Sequence, residues 1–194
     1  MKLFNIDLEA HELHDYRRYS DLEDKLLDAL ESTERTDVSY DIIAEQDGGY
    51  NVYAVHFGNP SAEKRIMVVT GHHGGEEAGP IAAVEMIKEL VDSDYNPVRD
   101  KLLENSYISI VPCIDPQGFD HRGRRFVDMD GKGQLWPIDG KGRWWGDVNG
   151  THGRRDPDTK PPEVKVVEKV LEETEPELVF DLHETIPSPV NRNP

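Results

Sequence analysis

The sequence has 194 residues, which is long enough for one domain with a substantial hydrophobic core. It carries 39 Asp or Glu against 22 Lys or Arg, a formal net charge of −17, so its surface repels nucleic-acid phosphates and anionic membranes. One cysteine excludes an intrachain disulfide, and no apolar run reaches the ~18 residues of a membrane span. We therefore expect a single soluble, cytoplasmic domain over residues 1–194, with no nucleic-acid or membrane partner.

The first part of the chain reads as a helix followed by a β-hairpin. Leucines recur at helical spacing in YSDLEDKLLDALEST, with Ser20 as the expected N-cap and Glu23 three positions later. The segments VSYDIIAEQ and YNVYAVHFG have the composition of strands, and the DGG between them is typical of a short hairpin turn. The pattern therefore predicts two paired strands after the first helix.

From residue 64 onward, apolar strands alternate with helices. KRIMVVTG and SYISIVPCI are continuous apolar segments, typical of strands that are buried on both faces. AGPIAAVEMIKELVDS and PPEVKVVEKVLEETEP are predicted helices with prolines near their starts, and ELVFDLHE is the last predicted strand. This alternation predicts an α/β fold with a mixed, largely parallel β-sheet flanked by helices.

Three polar clusters follow predicted strands. GHHGGEE follows RIMVV, DPQGFDHRGRR follows YISIVPCI, and DLHE closes ELVF. In open α/β sheets, ligands bind outside the carboxyl ends of the strands. The three clusters therefore indicate a functional site at one edge of the sheet.

The first and last of these clusters contain zinc-ligand residues. Catalytic zinc takes three protein ligands and keeps a fourth position for water, and two His with one Glu is one such set. His73 and Glu76 are three positions apart, so both lie on one side of a single turn. His183 ends a predicted strand, and Asp181 two positions earlier points the same way, where it can steady the histidine.

The neighbours of His73 and Glu76 have other expected roles. Gly74 and Gly75 are expected to let the backbone turn tightly and to let a substrate approach. His72 is not expected to bind metal. Glu77 is expected to cap the following helix, where a negative charge is favourable.

The ordered set of motifs resembles a known family. GHHGGEEAGP resembles the His-x-x-Glu motif of zinc metallocarboxypeptidases and the G-x-H-G-x-E motif of the related succinylglutamate desuccinylases and aspartoacylases. VPCIDPQGFD resembles their N-P-D-G segment, with Asp115 in place of Asn and Gln117 in place of Asp, and FDLHET resembles the strand that carries the third ligand. The resemblance implies a zinc carboxypeptidase-like fold from about residue 40 to the end, in which His73, Glu76 and His183 bind Zn²⁺.

The function implied by this resemblance is hydrolysis. We expect a zinc-dependent metallopeptidase that cleaves an amide bond next to a carboxylate-bearing residue, most directly a metallocarboxypeptidase acting on a peptide. One alternative is a deacylase of N-acyl amino acids, and another is a non-catalytic domain that binds zinc and peptide. The last arises because the general-base glutamate of the family would fall beyond residue 194, so we expect a chain that is incomplete at its C-terminus. An exposed last strand would then favour self-association.

The segment from 117 to 155 differs in composition from the rest of the chain. It holds nine of the 16 glycines, all three tryptophans, and eight Lys or Arg against five Asp. A long segment of this kind in a compact domain is typically functional, and its positive charge favours an anionic ligand, although an ordinary surface loop is the alternative.

The resemblance assigns roles to polar residues in this segment. Arg124 or Arg125 would stabilise the oxyanion of the reaction. In GDVNG, Gly150 stands where the family has the arginine of its Asn-Arg pair, so another guanidinium would have to replace it, since guanidinium forms two parallel hydrogen bonds to a carboxylate. The candidates for holding the substrate carboxylate are Asn149, Arg143, Arg154 and Arg155.

Overall fold

The computed structural model describes the part of the chain that forms the sheet and its helices. The described residues are 16–46, 48–121, 136–137, 144–145 and 162–183.

The described residues form five helices and seven strands. The helices are α1 (Tyr19–Ser32), α2 (Ala78–Val91), α3 (Pro97–Asn105), α4 (Pro116–His121) and α5 (Pro162–Thr174). The strands are β1 (Val38–Gln46), β2 (Tyr50–Gly58), β3 (Lys64–Thr70), β4 (Ser106–Val111), β5 (Trp136–Pro137), β6 (Trp144–Trp145) and β7 (Leu178–Leu182). None of these helices combines the length and the apolar character needed to cross a membrane.

Five of the strands form one sheet in the order β1-β2-β4-β3-β7. The β1–β2 and β2–β4 pairs are antiparallel, whereas β3 pairs in parallel with both β4 and β7. The predicted mixed sheet flanked by helices is therefore confirmed. Because β3, β4 and β7 run in the same direction, their carboxyl ends meet at one edge, where the three polar clusters follow them. Strands β5 and β6 form a separate antiparallel ribbon.

One face of the sheet packs against the first two helices. Leu22 and Leu26 of α1 and Ile87 of α2 are fully buried, together with Val55 of β2 and Ile110 of β4. The leucines whose spacing predicted α1 therefore form the face of the helix that is buried against the sheet. Each aliphatic side chain buried in this way contributes roughly 1.5–3 kcal/mol of transfer free energy.

The opposite face of the sheet packs against α5. Val166, Val167 and Val170 of this helix lie against Val52 of β2 and Met67 of β3, and all five are buried. Strand β3 is thus covered on both sides, as its continuous apolar sequence predicted.

The predicted hairpin is confirmed, and glycine makes its turn possible. Gly48 and Gly49 have φ values of 93° and 82°, a region that residues with a Cβ avoid. The two strands pair from Val38 opposite Phe57 to Gln46 opposite Tyr50.

The expected N-cap of α1 is wrong. The helix begins at Tyr19, so Ser20 lies inside its first turn. The carboxylate of Asp21 instead accepts hydrogen bonds from the backbone N–H groups of Arg17 and Arg18, at 3.0 and 2.9 Å. Asp21 is the third residue of the helix, and its carboxylate reaches back to the N–H of Arg18, which is the N-cap, so the helix begins before Ser20.

Helix α3 is an element that the sequence reasoning missed. Its N-cap is Asn96, whose side-chain oxygen accepts from the N–H groups of Val98 and Arg99 at 3.2 and 3.1 Å. Pro97 occupies the first helical position, where its missing N–H has no cost. The Asn-Pro pair was therefore a readable start signal.

Helix α4 lies where a polar loop was expected. Phe119 is buried in the core against α1. The carboxylate of Asp120 accepts a hydrogen bond from the Tyr50 hydroxyl at 2.9 Å and another from the backbone N–H of Tyr19. These contacts fix the short helix to both the hairpin and the start of α1.

Strand β7 lies at the edge of the sheet, as expected for an exposed last strand. Among the described residues, no strand pairs with its outer side. Its apolar side chains remain between 38% and 48% exposed, and they are Leu178, Val179, Phe180 and Leu182.

Candidate metal centre

The loop that follows β3 is held against the loop that follows β4. The N–H groups of Ile114 and Asp115 donate to the carbonyl oxygens of Thr70 and Gly71, both at 3.1 Å. Gly71 has a φ of 74°, and a Cβ there would lie 3.0 Å from the sulfur of Cys113. Glycine is thus required at the point where the chain leaves the sheet and turns towards the histidines.

Gly74 has a different role from the one expected. A Cβ on Gly74 would lie 1.7 Å from the carbonyl oxygen of Gly118 in α4. The space beside Gly74 is therefore filled by protein backbone and gives no access to substrate. Gly118 is equally constrained, because a Cβ there would lie 2.1 Å from a carboxylate oxygen of Asp115. The two glycines let the loop after β3 pack directly on α4.

A buried amide supports the loop after β4. The side chain of Gln46 donates to Asp115 Oδ1 at 3.2 Å, and its oxygen accepts from the backbone N–H of Gln117 at 2.9 Å. Asp115 Oδ1 also accepts from the N–H of Gly118 at 2.9 Å. Asp115, which stands where the resembling family has Asn, thus orders the start of α4. The sequence reasoning did not single out Gln46, which lies at the end of a strand.

His73, Glu76 and His183 come together at the carboxyl edge of the sheet. His73 Nδ1 lies 2.8 Å from Glu76 Oε1, and His183 Nδ1 lies 2.7 Å from Glu76 Oε2. The backbone N–H of Glu76 donates to the carbonyl oxygen of His73 at 2.9 Å, which closes the turn that places both side chains on one side. His73 and Glu76 are buried, while the side chain of His183 is 28% exposed.

The donor set and its dimensions fit a zinc ion. One candidate ligand atom from each of the three residues lies within 4.8 Å of the others. Ligand atoms bound to one tetrahedral zinc at about 2.0–2.2 Å are roughly 3.3–3.6 Å apart. The contacts of Glu76 with the two histidines therefore need to open by less than about 1 Å. Two imidazole nitrogens and one carboxylate also leave a fourth position, as a catalytic site requires.

Asp181 lies behind His183, as the alternation along the strand predicted. Its Oδ1 atom is 3.1 Å from His183 Nε2, the ring nitrogen that faces away from Glu76. The same oxygen is 3.0 Å from Nδ1 of His72, which is 2% exposed. His72, Asp181 and His183 form a second group of candidate ligand atoms. No pattern in the sequence indicates the contact of His72 with Asp181, because the contact depends on how β3 and β7 align.

Burial and neighbouring groups have opposite effects on the pKa values of His183 and Asp181. Partial burial lowers the pKa of His183, but the hydrogen bond to Glu76 and the nearby Asp181 outweigh it, so the pKa lies above its ordinary value of 6.5. For Asp181, burial raises the pKa, but the neighbouring rings of His72 and His183 outweigh burial and hold the pKa below 3.8. The site thus favours a charged carboxylate at Asp181.

The expectation for Glu77 is half right. Glu77 does occupy the N-cap position of α2, and its carbonyl oxygen accepts from the N–H of Ile81 at 3.2 Å. Its side chain makes no capping hydrogen bond. The reason is its backbone: φ and ψ of −75° and −27° are already helical, whereas capping side chains usually extend from a β-region residue.

The residues assigned to the oxyanion and to the substrate carboxylate lie outside the described part of the chain. They are Arg124, Arg125, Arg143, Asn149, Arg154 and Arg155.

The fold and the histidine–glutamate site define the class of protein. Residues 23–185 match the family model described as zinc carboxypeptidase, which covers most of the chain. The chain therefore belongs to the zinc carboxypeptidase family, and the resemblance seen in its motifs is confirmed. No curated protein matches the chain.

Solved structures of carboxypeptidases share the fold. A metallo-carboxypeptidase from Burkholderia cenocepacia is 20% identical with a TM-score of 0.66, and the match covers 84% of this chain and 40% of that one. A metallo-carboxypeptidase from Pseudomonas aeruginosa is 18% identical with a TM-score of 0.62, covering 84% and 39%. Thrombin activatable fibrinolysis inhibitor is 14% identical with a TM-score of 0.70, covering 91% and 49%. The chain thus spans less than half the length of each of these relatives.

Proposed function

We propose that the chain supplies the zinc-binding part of a metallocarboxypeptidase, which cleaves the amide bond next to a residue that carries a free carboxylate. The observation that supports this most directly is that Nδ1 atoms of His73 and His183 face the two oxygens of Glu76, at 2.8 and 2.7 Å. Membership of the zinc carboxypeptidase family supports the same reading. The Pseudomonas aeruginosa relative is described in complex with a succinic acid derivative, which agrees with a site for carboxylate-bearing ligands.

His73, Glu76 and His183 would hold the zinc ion through two Nδ1 atoms and one carboxylate. A zinc ion in this position supplies Lewis acidity, which activates water and polarises the scissile carbonyl. The chain contributes one negative charge from Glu76, which offsets half of the charge of the ion. Burial of His73 and Glu76 keeps solvent from competing for their ligand atoms. The partly exposed His183 leaves the site open beside β7, where a substrate could enter.

The groups that hold the substrate are part of this proposal. Arg124 or Arg125 would stabilise the developing oxyanion, because fixed positive charge acts strongly in a site that excludes water. A guanidinium from Arg143 or Arg154, together with the amide of Asn149, would bind the substrate carboxylate. Support for these roles comes from the family resemblance and from the positive charge of the 117–155 segment.

The metal content of the purified chain tests the first part of the proposal. We expect about one zinc per chain in the wild type, and close to none after His73→Ala, when zinc is measured by atomic spectroscopy after gel filtration. His56→Ala is the matched control, because His56 lies on β2 with Ser109 as its hydrogen-bond partner. A wild type that binds no zinc, while folded by circular dichroism, would overturn the proposal.

Substrate choice tests the second part. We expect the zinc-loaded protein to cleave a blocked dipeptide with a free C-terminal carboxylate and to leave the same dipeptide intact when it ends in a carboxamide. Cleavage of N-acyl amino acids alone would assign the deacylase activity instead. Binding of the free dipeptide without cleavage, in a protein with zinc bound, would assign a non-catalytic peptide-binding role.

A further inference from the structure

We propose that Gln46 is a positioning residue of the metal centre, which acts through Asp115 and helix α4 to hold the turn that carries His73 and Glu76. This inference rests on the proposed zinc site. Gln46 ends β1, and the candidate ligand groups of the described residues include no member of that strand. The inference therefore extends the metal centre to the β1–β2 hairpin.

The turn of this hairpin lies beside the carboxyl end of β4. Gln46 pairs with Tyr50 at the start of β2, and β2 runs antiparallel to β4. The residues that follow β4 therefore come next to the hairpin turn. This topology explains how Gln46 reaches Asp115, which is 69 positions later in the chain.

The side-chain amide of Gln46 has one orientation that satisfies both of its contacts. Its oxygen accepts from the backbone N–H of Gln117 at 2.9 Å, and its nitrogen donates to Asp115 Oδ1 at 3.2 Å. A backbone N–H only donates, so the amide oxygen must face Gln117 and the amide nitrogen must face Asp115. Gln46 and Asp115 are 8% and 2% exposed, so water does not readily replace either bond.

Asp115 connects the hairpin to two further segments. Its Oδ1 atom also accepts from the N–H of Gly118 in α4 at 2.9 Å, and its carbonyl oxygen accepts from the N–H of Phe119 at 2.9 Å. Its own N–H donates to the carbonyl oxygen of Gly71 at 3.1 Å. Asp115 is therefore bonded to the hairpin, to α4 and to the loop after β3.

Helix α4 in turn contacts the ligand turn through backbone atoms. A Cβ on Gly74 would lie 1.7 Å from the carbonyl oxygen of Gly118, so the two backbones pack with no side chain between them. Gly74 lies between His73 and Glu76, whose turn is closed by a 2.9 Å hydrogen bond. A displacement of Gly118 would therefore be passed directly to the two buried ligands.

The alternative is that Gln46 only attaches α4 to the rest of the fold. Other contacts already provide that attachment, since Phe119 is buried in the core and Asp120 accepts from the Tyr50 hydroxyl at 2.9 Å. Loss of the Gln46 amide should therefore shift the first turn of α4 and leave the helix in place. That first turn is the part of α4 that meets Gly74.

Zinc affinity, measured by competition with a chromophoric chelator, tests the proposal. We expect Gln46→Leu to weaken zinc binding by about 5–30-fold, the effect of removing one member of a connected network. Asp115→Leu should weaken it at least as much, and the double variant should resemble Asp115→Leu alone, because Gln46 acts through that carboxylate. Asp115→Asn should stay within about twofold of wild type, since its amide oxygen can accept both N–H groups.

Asn96→Ala is the control for a general loss of stability. The Asn96 side chain also makes two hydrogen bonds, but it caps α3, which follows α2 and precedes the start of β4, away from the carboxyl edge. We expect this variant to be less stable and to keep zinc affinity within about twofold of wild type. Cobalt(II) bound in place of zinc has visible absorption bands that depend on ligand geometry, and these should shift in Gln46→Leu but not in Asn96→Ala.

Several outcomes would overturn the inference. They include wild-type zinc affinity in folded Gln46→Leu, and equal weakening by Asn96→Ala. Equal weakening by Asp115→Asn and Asp115→Leu would show that the charge of Asp115 governs binding and that the position of α4 does not. If Gln46→Leu fails to fold, the same substitution is made in Asp115→Asn, where no buried charge loses its partner, and is compared with Asp115→Asn alone. Failure of the underlying zinc proposal looks different, since the wild type itself would then bind no zinc.

Discussion

Glu76 and His183 are joined by a contact of 2.7 Å between Oε2 and Nδ1, although they are 107 positions apart in the chain. Glu76 follows β3 and His183 follows β7, so the parallel pairing of these two strands brings the side chains together. Neither segment alone contains the whole ligand set. Binding of the proposed zinc ion at this site would therefore be coupled to formation of the sheet.

This coupling means that zinc should stabilise the folded protein. At a free zinc concentration 100 times its dissociation constant, we expect the free energy of unfolding to rise by about 2.7 kcal/mol, because zinc binds the folded state selectively. Thermal or urea unfolding with and without zinc measures the effect. The matched variant is Glu76→Gln, which keeps the shape of the side chain but removes its charge and should show less than about 1 kcal/mol of stabilisation. If zinc raised the free energy of unfolding equally in both proteins, the stabilising ion would bind at a site that does not include Glu76.

The packing of Gly74 on Gly118 should make the site sensitive to a single methyl group. We expect Gly74→Ala to lower the free energy of unfolding by about 1–3 kcal/mol, since the Cβ would overlap the backbone of α4 and force the loop to move. Zinc affinity should fall as well, because His73 is the preceding residue. Urea unfolding and chelator competition measure the two effects.

Gly79→Ala is the control for that change. Its Cβ would lie 3.3 Å from its nearest atom, the carbonyl oxygen of Leu182, which is far less crowded than at Gly74. Gly79 also lies inside α2, where alanine is the better helix former. We expect a change in stability below about 1 kcal/mol in either direction. If Gly74→Ala and Gly79→Ala lowered the free energy of unfolding equally, the close contact of Gly74 with Gly118 would not explain the loss of stability.

The open edge of β7 should promote pairing with a second copy of the chain. Phe180 is 46% exposed and its neighbours Val179 and Leu178 are similarly exposed, on a strand whose outer backbone groups no described strand pairs. Apolar edge strands of this kind associate, and a lysine on such a strand opposes association. We expect concentration-dependent dimers in sedimentation velocity for wild type, and a shift towards monomer for Phe180→Lys.

The control for the edge-strand prediction is Tyr95→Lys. Tyr95 is 87% exposed but lies in the turn between α2 and α3, away from β7. The Tyr95→Lys substitution should therefore leave the association of the chain unchanged. A wild type that is monomeric at all concentrations would contradict the prediction.

The elements that the sequence predicted are those whose own residues carry a strong pattern. Three patterns predicted structure correctly from local sequence alone. They are the leucines of α1, the glycines at the hairpin turn and the continuous apolar sequence of β3. The meeting of His73, Glu76 and His183 was predictable for a similar reason, because His73 and Glu76 lie within one turn and His183 ends a strand. In each case, local spacing was enough to place the side chain on the correct face.

The features that were missed depend on contacts between distant segments. Helix α4 has only six residues and no periodicity, and it is held in place by Phe119 in the core and by the bonds of Asp120 to Tyr50 and Tyr19. The contact of His72 with Asp181 requires the register of β3 against β7, which no pattern in either segment specifies. Helix α3 is the exception, since Asn96 followed by Pro97 is a sequence pattern typical of a helix start.

Cys113 should be inert towards thiol reagents in the folded protein. It is 1% exposed beside Gly71, and burial is the main cause that raises its pKa well above the ordinary 9.0. Since the thiolate is the reactive form, we expect labelling by a disulfide reagent at pH 8 to be at least about 100-fold slower than in urea. The sign of the pH effect follows from the same shift: above pH 9 the unfolded chain loses the thiol proton while the folded chain keeps it, so stability falls as pH rises. Cys113→Ala should lack this part of the pH dependence in urea unfolding measured between pH 8 and pH 10. Rapid labelling of the folded wild type would show that the loop after β4 opens readily, and it would contradict the close packing of Cys113 against Gly71.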